Sequence, residues 1–179
     1  MKRLFISLSV AAALLAAPAY ATLTVGAKAP DFKARASIGG KQFDFSLAEA
    51  LKKGPVVLYF YPAAFTPGCT LEANTFAEAM DDFEKLNATV IGVSNDNIET
   101  LDRFSLTECR SKFPVASDAS GSIMKSYDAV VGPNATRASR TSYVISPAGQ
   151  IVYSYNNGDY THHTEYTMDA VKKFVAERK

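Results

Sequence analysis

A chain of 179 residues, 47% of them hydrophobic, can bury the core of one ordinary domain but not of two comfortable ones. Its formal net charge of +1 offers no concentrated basic surface, so nucleic acid is not expected as a partner. The single basic cluster, Lys172, Lys173, Arg178 and Lys179, reads as the solvated face of a last helix.

The first 21 residues read as a secretory signal. Lys2 and Arg3 start it, Leu4 to Ala17 is apolar apart from Ser7 and Ser9, and Ala19-Tyr20-Ala21 gives a small-x-small cleavage pattern. That apolar run is shorter than the roughly 20 residues needed to span a bilayer. The expectation is therefore an exported protein, periplasmic by first choice, whose folded part is one domain over residues 22–179. No membrane association is expected of that part. Losing Lys2 and Arg3 would take the net charge from +1 to −1.

In chain order, a hairpin is expected to turn at Gly39-Gly40. Val56 to Tyr61, bounded by Gly54-Pro55 and Pro62, reads as a strand buried on both faces. Phe76, Met80 and Phe83 mark an amphipathic helix, and Thr89 to Val93 a second buried strand. Leu101 and Phe104, with Leu106 nearby, predict a helix reaching about Cys109. Phe113 to Ala116 reads as a third strand and Ser120 to Tyr127 as helical. Thr141–Ile145 and Gln150–Tyr155 flank Pro147-Ala148-Gly149 and form a hairpin. Met168, Val171 and Val175 close the chain with a helix. Strands alternating with helices predict an α/β domain with a mixed central sheet.

Two cysteines, Cys69 and Cys109, stand 40 positions apart (109 minus 69), so they form no CxxC motif. Outside the cytosol they could make a permanent bridge or one formed only during a reaction cycle, and composition does not choose. Cys69 follows Pro62-Ala63-Ala64-Phe65-Thr66-Pro67-Gly68, a loop joining a buried strand to a helix start. In a first helical turn, free N–H groups and the helix dipole favour a thiolate, the nucleophilic form. Thr66, three residues earlier, could turn its hydroxyl to the sulfur. His162-His163 lacks companions at ligand spacing and makes only a weak metal site. Tyr153, Tyr155 and Tyr160 read as packing, and Val130 to Asn134 as a loop.

Pro62-x-x-x-Thr66-x-x-Cys69 resembles the peroxiredoxin active-site signature. The wider Tyr59-Phe60-Tyr61-Pro62 and Thr66-Pro67-Gly68-Cys69-Thr70 are most similar to the bacterioferritin-comigratory, or Q-type, branch. Gly26 with Ala29-Pro30-Asp31-Phe32 resembles the family's opening, and Pro114 to Asp118 its third strand. Arg140 to Ile145, with Gly149-Gln150-Ile151, resembles the late hairpin that carries its active-site arginine.

The resemblance implies a thioredoxin-like fold and a thiol peroxidase acting on hydrogen peroxide or organic hydroperoxides without metal, haem or flavin. By it, Cys69 becomes a sulfenic acid, Thr66 hydrogen-bonds thiolate and peroxide, and Pro62 shields the sulfur. Arg140 holds the thiolate charge and orients substrate, and Glu72 supports the arginine. A dithiol protein, thioredoxin-like, would restore the enzyme.

One position departs from the pattern. Many members of the branch carry a second cysteine five residues after the first, where this chain has Asn74. Cys109 is then the expected resolving thiol, forming an intramolecular disulfide after local unwinding, since a bridge needs Cα atoms within roughly 7 Å. The rival readings are a one-cysteine enzyme with Cys109 a spectator, a thiol–disulfide exchange protein, and a metal carrier on the same fold. A monomer is expected, because nothing resembles the carboxy-terminal arm of the decameric relatives.

Overall fold

The structure, a computed structural model, describes residues 22–132 and 134–178. The expected signal segment, Pro133 and Lys179 lie outside the described residues. Among those described, no helix is long and apolar enough to cross a membrane.

The chain opens with a hairpin, β1 (Lys33–Ile38) and β2 (Lys41–Ser46). Gly39 and Gly40 turn it at φ +56° and +75°, the left-handed pair that a two-residue turn requires. A short helix, α1 (Leu47–Leu51), follows at once, with the Ser46 hydroxyl accepting the Glu49 N–H. Periodicity does not announce this five-residue helix.

The centre is strand–helix–strand repetition: β3 (Val56–Phe60), α2 (Pro67–Lys85), β4 (Thr89–Ser94), α3 (Ile98–Thr107) and β5 (Val115–Ser117). β3 pairs in parallel with β4, and β4 with β5. After α4 (Ser122–Ser126) come the antiparallel β6 (Thr141–Ile145) and β7 (Ile151–Asn156), then α5 (His163–Ala176). The sheet order is β2-β1-β5-β4-β3-β6-β7, a mixed sheet as expected.

Both faces of the sheet are covered, which is why β3 carries five buried residues in a row. Val56, Leu58 and Phe60 face a core shared with α1 and α4. Val57 and Tyr59 face a second core built with α2, α3 and α5. Each such side chain contributes about 1.5–3 kcal/mol by leaving water.

α3 packs through Leu101 and Phe104, with Ser105 buried and Ile98 partly buried beside them, while Leu106 is 56% exposed. Two expectations are corrected. Cys109 lies beyond α3, which stops at Thr107. Its N–H still reaches the Phe104 carbonyl at 3.1 Å, and Arg110 and Ser111 then turn the chain at φ 49° and 56°. The third strand begins at Val115, because Pro114 has no N–H to give a ladder.

Candidate active site

The site lies where β3 ends at the centre of the sheet, the place where open α/β sheets gather function. The loop leaving β3 is tied down from a neighbouring strand. Asp96 accepts the Ala64 N–H at 2.7 Å and the Ser94 hydroxyl at 2.8 Å. Phe65 takes a left-handed φ of 63°, a conformation costing a bulky residue about 1–2 kcal/mol, and its ring packs edge-on against Phe104. The strain turns the chain into α2.

Thr66 is the residue before the helix, and Pro67 supplies the pre-set φ of its first position. The first helical bond runs from the Thr70 N–H to the Thr66 carbonyl, so the amides of Gly68 and Cys69 precede it. Cys69 thus occupies the first turn of a 19-residue helix, and it is 1% exposed. The Thr66 hydroxyl differs from expectation. Its proton goes to the Ala63 carbonyl at 2.9 Å rather than toward the sulfur, and only its lone pairs remain free.

Arg140, just before β6, crosses to meet this turn. Its Nη2 lies 3.4 Å from the Cys69 sulfur, its Nη1 donates to Glu72, and its Nε donates to the Gly158 carbonyl at 3.1 Å. Gly68 makes the approach possible, since a Cβ there would stand 3.3 Å from Nη2 and 3.7 Å from the Tyr160 ring. Glu72 is wholly buried, one turn after Cys69. Burial pushes its carboxyl up to about 8, with the Arg140 charge pulling the other way. Its Oε1 has no hydrogen-bond partner among the described residues.

Arg140 and Pro62 also line a cleft of about 520 Å³, with Val131, Arg137, Asn156 and Gly158 on its walls. The loop after Val130 therefore shapes the mouth above the arginine. A larger groove, about 610 Å³, runs between β7 and α5 past Tyr153 and Phe174, away from the cysteine.

Cys109 is buried in the same core as Cys69, and both are free thiols. Burial pushes the Cys109 thiol well above its ordinary range. The two histidines point apart. His162 lies on the surface against Glu165 and Tyr166, whereas His163 is buried beside Ser142 and Glu72. Among the described residues no group of three or more His, Cys, Asp and Glu side chains is placed to hold a metal ion.

The structure thus gathers Cys69, Arg140, Glu72 and Pro62, with Thr66 at the edge and Cys109 elsewhere in the same core. The site also uses Gly68, Gly158, Asp96 and the buried imidazole of His163, whose contacts the sequence alone does not reveal. Only Gly68, beside the cysteine at a helix start, carried a signal: a missing side chain where another group must come close.

The AhpC/TSA family model matches residues 25–154, which carry all of these groups except Gly158 and His163. The chain belongs to the AhpC/TSA family. It is 33% identical over 171 residues to the chloroplastic 2-Cys peroxiredoxin BAS1 of Hordeum vulgare, covering 88% of this chain and 81% of the relative. It is 30% identical over 122 residues to peroxiredoxin Bcp of Xanthomonas campestris, covering 65% and 76%. Among solved structures, peroxidoxin BcpB of Mycobacterium tuberculosis superposes with a TM-score of 0.74 at 27% identity, over 83% of this chain and 96% of that one. The fold is thioredoxin-like and the chain is a thiol-dependent peroxidase of this family.

Proposed function

We propose that Cys69 is the thiol that meets the hydroperoxide, and that Cys109 resolves the product. The observation that carries this is the Arg140 Nη2 at 3.4 Å from a cysteine in the first turn of α2. The guanidinium and the helix amides form a donor set that favours negative charge where an O–O bond is to break.

In the proposed reaction the Cys69 thiolate attacks one peroxide oxygen. The S–O bond forms as the O–O bond breaks, and the departing hydroxide or alkoxide takes a proton to leave as water or alcohol. Cys69 is then a sulfenic acid, oxidised by two electrons. Arg140 steadies the charge on the parting oxygens, and Glu72 holds the arginine. Pro62 at the cleft wall limits water. The Cys109 thiolate next attacks the Cys69 sulfur, releasing the sulfenic oxygen as water and closing a disulfide. Since both thiols are buried, this step needs local opening of the first turn of α2 or of the turn at Cys109. An external dithiol protein reduces the bridge and keeps the two electrons' worth of oxidation. Hydrogen peroxide and organic hydroperoxides are the proposed substrates.

Counting thiols during peroxide titration of the reduced protein tests the pair. Two thiols lost per peroxide in the wild type, and a trapped sulfenic acid in Cys109→Ser, are expected. Full turnover of Cys109→Ser with an added thiol would make Cys109 a spectator.

We also propose export to the periplasm, supported by the pattern of the first 21 residues, with a mature start at Thr22. Amino-terminal sequencing of the protein from the periplasmic fraction tests it. A monomer is the proposed solution state, tested by light scattering.

A further inference from the structure

His163 begins α5, and no part of it is exposed. Its hydrogen bonds define its protonation. Nε2 lies 3.0 Å from the Asn157 carbonyl oxygen, which can only accept, so Nε2 carries the proton. Nδ1 is then an acceptor and takes the Ser142 hydroxyl proton at 2.8 Å. Burial holds the imidazole down at about 4, so the ring is neutral in the ordinary range.

The bond to Asn157 matters because of what Asn157 and Gly158 hold. The Asn157 N–H donates to the Arg140 carbonyl at 3.2 Å, and the Gly158 carbonyl accepts the Arg140 Nε at 3.1 Å. These two exposed loop residues grip Arg140 by its backbone and by its guanidinium. Their other hydrogen bonds run to Tyr155 and Asp159, beside them in sequence. His163 ties the grip to a buried point. Its other edge faces Glu72, with Nδ1 3.8 Å from Oε1, while Arg140 Nη1 donates to Oε2. The imidazole is therefore hydrogen-bonded to the loop that grips the arginine and only lies beside the carboxyl that receives Nη1.

We propose that His163 is a positioning residue of the peroxidase reaction: through the Asn157 carbonyl it holds the loop that keeps the Arg140 guanidinium at the Cys69 sulfur. The inference rests on the reading of Cys69 as the reacting thiol. A filler of the space between α5 and β6 would need only volume, whereas this role needs an N–H aimed at one carbonyl.

That difference decides the test. The rate of oxidation of the reduced full chain by hydrogen peroxide is measured by stopped flow for His163→Gln, His163→Asn and His163→Leu, with thermal unfolding of each. The Gln amide reaches the Nε2 position and can still donate, so its rate is expected within about threefold of wild type. Asn is too short and Leu has no donor, so each should lose about tenfold or more, the worth of one buried hydrogen bond. Asn and Leu variants as fast as wild type would overturn the proposal. So would a Gln variant as slow as Asn at matched thermal stability. The Gln and Asn pair suffices if Leu does not fold. Cys69→Ser is run beside them: if it reacts with peroxide as fast as wild type, the reading of Cys69 fails, whereas failure of the His163 series alone leaves that reading standing.

Discussion

Arg140 Nη2 lies 3.4 Å from the Cys69 sulfur while Nη1 of the same guanidinium donates to Glu72. The planar fork joins a residue before β6 to two consecutive turns of α2. A lysine offers one point charge and cannot serve both partners while also donating to Gly158. Arg140→Lys is expected to slow the reaction with hydrogen peroxide on the order of a hundredfold, as loss of an aligned donor does in other active sites. A stopped-flow rate near that of wild type would remove Arg140 from the reaction.

The absence of a side chain at Gly68 has a kinetic counterpart. In Gly68→Ala the new Cβ would stand 3.3 Å from Nη2, so the guanidinium must shift by a few tenths of an ångström. Gly68 has no left-handed φ, and alanine is the better helix former. The peroxide rate should fall about tenfold with the melting temperature unchanged or slightly raised. Equal losses of rate and stability would point to a folding defect instead.

The raised Glu72 carboxyl predicts a dependence of the site on alkaline pH. Its folded-state value, near 8, lies above its ordinary 4.5, so the folded chain holds an extra proton between these values. The stability it contributes is present below about 4.5 and is lost as pH rises through 8. Its ionisation also sets a negative charge against Arg140. The peroxide rate of the wild type should drop severalfold between pH 7 and 9, and Glu72→Gln should flatten that drop. Identical profiles for the two proteins would exclude Glu72 as the group responsible.

His163 acts in the opposite direction. Its folded-state value, about 4, lies below its ordinary 6.5, so the unfolded chain binds the extra proton in between. The stability contribution is present above 6.5 and is lost as pH falls through 4, worth at most about 3 kcal/mol. Urea midpoints measured from pH 7 to 4 should fall more steeply for wild type than for His163→Gln. Parallel slopes would mean the imidazole titrates alike in both states.

What the sequence made legible was local. The unbroken apolar run of β3, the Gly39-Gly40 turn and the spacing of Phe76, Met80 and Phe83 each reflect one element's own burial or backbone need. Cys69 after Pro67-Gly68 was equally plain, because helix starts have their own residue preferences. Leu106, beside that pattern, shows that apolar character does not guarantee a buried position, since α3 turns it to solvent. The end of α3 was hidden because its left-handed turn uses Arg110 and Ser111 where glycine would have announced it. Of the support of Arg140 only Glu72 was expected, through the family resemblance; Gly158, His163 and Ser142 come from separate segments joined to it only by tertiary packing. Thr66 was placed correctly, but its hydroxyl had a nearer acceptor in Ala63.

Everything proposed for the site turns on Cys69 being the thiol that peroxide reaches first. The most direct measurement of this is the second-order rate of hydrogen peroxide consumption by the reduced chain, wild type against Cys69→Ser, with intact mass recorded after one equivalent. Rapid consumption by the wild type is expected, with a mass change located at Cys69 and no reaction above background in Cys69→Ser. A Cys69→Ser protein that consumes peroxide at the wild-type rate, or a wild type oxidised first at Cys109, would contradict this.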